Sequence, residues 1–175
     1  MGSEMCIRDS PYGVQYSTAN SGLTQLPTTS GFGVAVADLN SDGRPELIFA
    51  SSQMATRIYW GQPNATYGVG YSTATNAFTD LPSSSGAVGI AVADLNADGR
   101  PEIVIVIGSG QGFVYWGSSG GPQGTTYNLA DRTTLPAPAS WAAAVADLNS
   151  DNQPDVVVQG LSGGPISNGS YTRVF

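Results

Sequence analysis

The sequence predicts an all-β fold assembled from about three repeats of a four-stranded unit. Three observations carry that prediction. The stretch Asp38-Leu39-Asn40-Ser41-Asp42-Gly43-Arg44-Pro45-Glu46 returns as Asp94-Leu95-Asn96-Ala97-Asp98-Gly99-Arg100-Pro101-Glu102, and again as Asp147-Leu148-Asn149-Ser150-Asp151-Asn152-Gln153-Pro154-Asp155. Each copy is flanked by short apolar runs rich in β-branched residues and bounded by turn formers, the pattern of buried strands. Markers recur at a nearly constant interval: Asp38 to Asp94 spans 56 residues, Asp94 to Asp147 spans 53, and Tyr59-Trp60 to Tyr115-Trp116 spans 56. An interval of this size is one supersecondary unit of a repeat protein.

The unit can be taken strand by strand. Strand one is Val34-Ala35-Val36-Ala37 or Ile90-Ala91-Val92-Ala93, running into the nine-residue loop. Strand two leaves it as Leu47-Ile48-Phe49 or Ile103-Val104-Ile105-Val106-Ile107. Pro45, Pro101 and Pro154 stand just before that strand, where a missing N–H costs little. Strand three carries an aromatic pair, in Arg57-Ile58-Tyr59-Trp60 and Gly112-Phe113-Val114-Tyr115-Trp116. Strand four lies within 67–81 and, in the second unit, within 127–135. The third unit has strands near 141–146, 156–159 and 171–175. Residues 12–27 read as strand four of a unit whose first three strands are absent. The resulting division is a strand-four-like segment at 12–30, units at 31–85 and 86–139, and an incomplete unit at 140–175.

Oxygen side chains at loop positions 1, 3 and 5, glycine at 6 and a carboxylate at 9 suit a hard cation. Ca²⁺ takes six to eight oxygen ligands at roughly 2.3–2.6 Å. The expected ligands are Asp38, Asn40, Asp42, the carbonyl of Arg44 and Glu46; Asp94, Asn96, Asp98, the carbonyl of Arg100 and Glu102; and Asp147, Asn149, Asp151, the carbonyl of Gln153 and Asp155. Up to three Ca²⁺ are therefore expected. A single Asp-Gly loop reads equally well as a plain turn; three copies in register favour the ion. The third copy is the weakest, because Asn152 replaces Gly at the position that needs a positive φ. An EF-hand is excluded: position 12 is Phe49, Ile105 and Val158, not a bidentate Glu, and the flanks are strands.

The run Gly86-Ala87-Val88-Gly89-Ile90-Ala91-Val92-Ala93-Asp94-Leu95-Asn96-Ala97-Asp98-Gly99-Arg100-Pro101-Glu102, with its counterpart from Gly31 to Glu46 and the recurring Tyr59-Trp60-Gly61 and Tyr115-Trp116-Gly117, resembles the FG-GAP (VCBS-type) repeat of β-propellers. That family includes the integrin α-subunit head. The resemblance covers nearly everything after residue 10. It implies a partial β-propeller of about three four-stranded blades with calcium-binding hairpin loops. One departure is Glu rather than Asp at position 9 of the first two loops, a longer arm that alters how that ligand binds. Propellers close with about four to eight blades. Three units imply an open arc or a gapped ring, or a ring in which the N-terminal strand completes the last unit. The unfinished edges are an expected route to self-association.

Residues 1–10 match nothing later in the chain and resemble a translated sequencing adapter, so they are set aside from fold reasoning. The single cysteine, Cys6, lies there and says nothing about redox compartment. The chain has no lysine, 23 Gly, 11 Pro and a net charge of −7. A basic face for nucleic acid is excluded, and no apolar run reaches the ~18–20 residues of a membrane-spanning helix. Of the 13 acids, nine lie in the three loops; outside them and the first ten residues only Asp80 and Asp131 remain. The acidity is thus the signature of clustered ligands.

Catalysis has little to draw on. No histidine is present, so an imidazole base or Ser-His-Asp triad is excluded. Asp80 and Asp131, near the Leu81-Pro82 and Leu135-Pro136 markers, read as structural. The segment Gly108-Ser109-Gly110-Gln111-Gly112 lacks the Lys and helix of a phosphate loop. The aromatic pairs are expected to pack between units rather than stack on sugars. Trp141, placed where earlier units have Gly33 and Gly89, is also expected to pack, with an exposed ligand contact as the alternative. Asn64-Ala65-Thr66 and Asn168-Gly169-Ser170 have the form of glycosylation sites and read as chance matches in a Ser/Thr/Asn-rich chain. The expected function is a non-enzymatic extracellular adhesion or ligand-binding scaffold, for an unknown protein or carbohydrate. The alternative is an accessory or catalytic propeller domain of a larger secreted enzyme.

Overall fold

The computed structural model describes residues 7–9, 14–16, 26–64, 68–137, 140–161 and 170–175, and among these the regular structure is entirely strand. Near the N-terminus β1 (Ile7–Asp9) and β2 (Val14–Tyr16) form a two-stranded antiparallel pair. The first blade is built from β3 (Gly31–Ala37), β4 (Glu46–Ser51), β5 (Arg57–Tyr59) and, after the small hairpin of β6 (Gln62–Asn64) and β7 (Gly68–Gly70), β8 (Phe78–Asp80). The second is β9 (Ala87–Ala93), β10 (Glu102–Ile107), β11 (Gln111–Ser119) and β12 (Thr125–Leu135). The third is β13 (Ser140–Ala146), β14 (Asp155–Leu161) and β15 (Ser170–Val174). Each is an antiparallel meander in chain order, and together they form a partial β-propeller of three blades.

Apolar periodicity decides how the blades stack. Strand residues alternate between faces, and β4 alternates in burial: Ile48 and Ala50 are buried while Leu47 and Phe49 are half-buried. In β10 all six residues are buried. In β14 the alternation returns with the opposite phase, Val156 and Val158 buried and Val157 half-buried. The middle sheet is therefore covered on both faces, and each outer sheet on one. One apolar cluster joins the first two blades through Leu39, Ile48, Trp60, Ile103, Ile105 and Tyr115, with Ile90 and Val92 packed on it. A second joins the middle and last blades through Val104, Val106, Val114, Val156 and Val158.

The first strands of successive blades come very close, and glycine makes this possible. A Cβ on Gly33 would lie 2.9 Å from Cγ2 of Ile90. On Gly89 it would lie 2.9 Å from Cα of Ala142 and 3.0 Å from the carbonyl oxygen of Trp141. The pairing register places Gly33 opposite Ala50, Gly89 opposite Val106 and Ala142 opposite Gln159. Ala142, not Trp141, is thus the counterpart of the two glycines, which corrects the sequence alignment by one residue. Trp141 sits at the register shift where Phe32 and Val88 sit in the earlier blades, and it is 51% exposed rather than packed.

The recurring Tyr-Trp-Gly divides its work among three residues. Tyr59 and Tyr115 are fully buried and donate their hydroxyls to the carbonyls of Pro27 (2.9 Å) and Pro82 (2.7 Å), tying each blade to the Leu-Pro marker before it. The Trp60 and Trp116 indoles donate to the Thr79 and Thr133 hydroxyls of strand four (2.9 and 2.8 Å). These aromatics pack, as expected. Gly61 and Gly117 lie against the backbone ahead of strand two, where a Cβ would be 2.8 and 3.2 Å from the carbonyls of Pro45 and Pro101.

Asp80 pairs with Arg57 through two hydrogen bonds of 2.6 and 2.8 Å, a structural role. Asp131 has no equivalent position; it accepts a bond from Asn128, so the two acids do not share a repeated role. Arg57 lies over Phe78, and Arg132 over Phe113, at 4.0 and 3.7 Å from the ring centres. The second blade thus keeps the cation–π contact with its two partners exchanged between strands three and four. The Gly108–Gly112 segment is the turn joining β10 to β11 and the start of β11. Val14–Tyr16, in the segment read as a lone fourth strand, pairs with β1; most of 12–27 lies outside the described residues, as does Asn168. β15 pairs with β14, and the strand order of that sheet ends there.

Replacing Gly89 by Ala is expected to destabilise the protein by about 1–3 kcal/mol, because the added methyl meets the backbone of the next blade and cannot be relieved by rotating a side chain. Urea unfolding followed by tryptophan fluorescence measures this. Gly33→Ala, whose methyl meets the Cγ2 methyl of Ile90 at 2.9 Å rather than backbone, costs less in the same assay.

Candidate metal centre

Each repeated loop joins strand one to strand two of its blade, so the flanking ladder fixes both ends. Within the loops one hydrogen-bond pattern occurs three times. The carboxylate at position 1 accepts the N–H of position 5 through one oxygen and that of position 6 through the other: Asp38 at 3.1 and 2.8 Å, Asp94 at 3.2 and 2.9 Å, Asp147 at 3.2 and 2.9 Å. The amide oxygen of position 3 accepts the N–H of position 5, from 3.2 Å at Asn40 to 2.9 Å at Asn96 and Asn149. The carboxylate of position 5 accepts the N–H of position 7 at 2.8 Å in all three loops, from Arg44, Arg100 and Gln153. These side chains order the loop by replacing backbone partners, as Asp and Asn do in turns.

The backbone turns left-handed at two positions. Gly43 and Gly99 have φ of 80° and 82° at position 6, and Asn152 takes the same region with φ 66°. Position 4 also turns left-handed, at Ser41 (59°), Ala97 (58°) and Ser150 (62°). Sequence reasoning missed this second reversal, since neither Ser nor Ala signals a positive φ.

Position 9 works differently from the rest. Glu46 and Glu102 are completely buried. One oxygen of each accepts the N–H of Leu39 or Leu95 at 2.6 Å, and the other that of Gly61 or Gly117 at 3.2 or 3.4 Å. The carboxylate is a strut between the start of the loop and the end of strand three. In the third loop the shorter Asp155 reaches the N–H of Leu148 at 2.8 Å. Burial pushes the Glu46 carboxyl up to about 7; the two N–H donors oppose this, and the charges of Asp42 and Asp38 add to it. Glu102 is raised for the same reasons, burial first. The Tyr127 phenol is raised by burial and then by the charges of Glu102, Glu46 and Asp98. That hydroxyl donates to the carbonyl of Pro101 at 2.8 Å, and Tyr71 does the same to Pro45 at 2.9 Å.

The structure thus brings positions 1, 3 and 5 together in every loop and turns the Glu of position 9 toward backbone N–H groups. Among the described residues, no three His, Cys, Asp or Glu side chains gather closely enough to hold an ion by themselves. In the first loop Arg44 also forms an ion pair with Asp42 at 2.6 Å. The donors are nonetheless all hard oxygen, and a carboxylate that accepts one N–H on each oxygen keeps further lone pairs. The chemistry of the set fits Ca²⁺.

Residues 38–105 and 94–158 match the FG-GAP-like repeat family. The chain belongs to that family. Its FG-GAP units are similar to integrin alpha-3 of Cricetulus griseus, 29% identical over 161 residues, which is 79% of this chain and 15% of that protein. They are 37% identical to human integrin alpha-7 over 106 residues, 52% of this chain and 9% of that one. They are also 27% identical to human phosphatidylinositol-glycan-specific phospholipase D over 162 residues, 79% of this chain and 19% of the other. The chain spans less than a fifth of the length of each of these relatives. Each FG-GAP match runs from the first residue of one loop, Asp38 or Asp94, into the strand that leaves the next loop.

Two outcomes follow for the loops. Ala97→Gly relieves a left-handed residue and is expected to stabilise the protein by up to about 1 kcal/mol, less the extra freedom of the unfolded chain, measured by urea denaturation. Glu46 is a carboxyl whose native pKa of about 7 lies above its unfolded value near 4.5. The native state holds a proton that the unfolded chain releases, so in EDTA stability falls as pH rises from about 4.5 to 7. Urea midpoints across that range show the decline, and Glu46→Gln, neutral throughout, flattens this residue's share of it.

Proposed function

We propose that this FG-GAP module is a calcium-stabilised β-propeller segment that works outside the cell as a non-enzymatic adhesion or ligand-binding scaffold. The observation that carries the reading is the loop itself, repeated three times with one hydrogen-bond pattern and oxygen donors alone. The ligands would be Asp38, Asn40, Asp42, the Arg44 carbonyl and Glu46, and the matching sets from Asp94 to Glu102 and from Asp147 to Asp155, with water completing each shell. A bound ion would offset the mutual repulsion of carboxylates that the fold crowds together. Integrin alpha subunits and phosphatidylinositol-glycan-specific phospholipase D, proteins of the cell surface or extracellular space, support the location. Millimolar extracellular calcium suits loops of modest affinity. The partner class is protein or carbohydrate, and the exposed Trp141 on the last blade is a contact surface for it.

A second reading has a specific observation behind it. The similarity to a phospholipase D supports the module as an accessory or catalytic domain of a larger secreted enzyme. Propellers host unrelated functions, and the fold alone does not choose between them.

Thermal melts in EDTA, calcium and magnesium test the metal reading. Calcium at about 100 times its dissociation constant adds ~2.7 kcal/mol per site if the unfolded chain does not bind it. The expected result is a midpoint that climbs with calcium and not with magnesium, and a smaller climb in an Asp94→Asn, Asp98→Asn variant. A midpoint indifferent to calcium would reduce the loops to turns.

A further inference from the structure

We infer that Arg44 is a built-in competitor in the first loop: its guanidinium holds the Asp42 oxygen that an incoming cation needs, so the first loop takes up calcium more weakly than the second. The inference rests on the calcium reading proposed above and adds an order of filling to it. It starts from two loops of nearly the same sequence. Residues 38–46 and 94–102 differ at one position of nine, Ser41 against Ala97. Both loops carry arginine at position 7, yet the two arginines do different things.

In each loop the backbone uses one oxygen of the position-5 carboxylate. Oδ1 of Asp42 accepts the N–H of Arg44, and Oδ1 of Asp98 that of Arg100, both at 2.8 Å. Oδ2 is the oxygen left for an ion. In the second loop it accepts a long bond from the Asn96 amide, 3.3 Å. In the first loop the Asn40 amide donates to it at 3.2 Å and the Arg44 guanidinium at 2.6 Å, so a full positive charge already sits on that oxygen. Nε of Arg44 donates at the same time to the carbonyl of Gly61 at 3.3 Å. Arg100 makes no such pair: among the described residues the ion pairs are Arg44 with Asp42 and Arg57 with Asp80.

The surrounding strands supply the difference. Gly61 follows β5 and precedes the β6–β7 hairpin, outside any strand, and its carbonyl accepts the Arg44 side chain. The equivalent Gly117 lies inside β11, opposite Tyr127 of β12. The first blade therefore gives its arginine a second anchor beside Asp42. The third loop has neutral Gln153 at this position and no charge to compete with. With the Arg44 and Asp42 side chains 33% and 26% exposed, the pair has the strength of a partly solvated one. An ion enters the unpaired fraction of the loop, which weakens the apparent affinity of the first site about two- to sixfold.

A calcium titration of the full chain labelled with nitrogen-15 tests this by nuclear magnetic resonance. The backbone amides of Gly43 and Gly99 report their own loops separately, through their bonds to Asp38 and Asp94. The expected Gly99 midpoint is about two- to sixfold lower in calcium than that of Gly43. The Arg44 Nε–H resonance should move in step with Gly43 as the pair with Asp42 opens. Arg44→Ala should bring the Gly43 midpoint down to that of Gly99. Arg100→Ala removes the same charge from the same loop position without breaking an ion pair, and should lower the Gly99 midpoint by less. Wild-type midpoints that coincide overturn the inference while leaving calcium binding intact, and so do a first loop that fills first or two variants with equal effects. Glycine amides that ignore calcium in both loops would instead sink the calcium reading itself, and this inference with it.

Discussion

The structure depends on one constraint: a β-sheet of alternating apolar and small residues cannot stay uncovered on its buried face. No blade here has an interior of its own. Ile48 and Ala50 of the first blade are buried only because Ile90, Val92 and Ile105 of the second lie over them. Val156 and Val158 of the third are buried by Val104 and Val106. Stability in such an array is a sum of neighbour terms, and the middle sheet, apolar on both sides, is its centre. The glycines at 33 and 89 belong to the same constraint, since they set how closely the next backbone approaches. A blade alone would leave half of its apolar surface in water.

The loops inherit their geometry from this stacking. Glu46 shares a face with Ala37, under the second blade, and this is why its carboxylate is dry and its pKa high. From there it reaches the N–H groups of Leu39 and Gly61 and joins the loop to strand three. The loop of the first blade also touches the second: Asn40 donates to the carbonyl of Gln123 at 3.1 Å, and the Gln123 side chain reaches back to the carbonyl of Asn76 at 2.9 Å. Packing between blades and order within a loop are therefore coupled. Asn40 shares its nitrogen between the neighbouring turn and Asp42 of its own loop, while its oxygen accepts the N–H of Asp42.

Much of this was legible in advance because the repeat presents each signal several times. The strands in 31–37, 46–51, 87–93 and 102–107 follow from β-branched runs either side of a turn sequence, and the buried aromatics follow from their recurrence. What escaped had no one-dimensional signature. Ser41 and Ala97 turn left-handed although neither residue type demands it. Trp141 looks like a core residue by type, but its strand shifts register there and the residue is exposed. Asp80 and Asp131 look alike beside two Leu-Pro markers, and only cross-strand pairing shows that one binds Arg57 and the other does not.

The sequence by itself determined the all-β class, the repeat length, the meander within each unit and the oxygen-rich character of the loops, because these depend on local pattern and on residues close in the chain. Tertiary structure decided which face of each strand meets which neighbour and where the Glu46 and Glu102 carboxylates point. It also decided which apolar residues end in water. Those outcomes depend on strands about 55 residues apart coming within van der Waals contact, which alternation along one strand cannot encode.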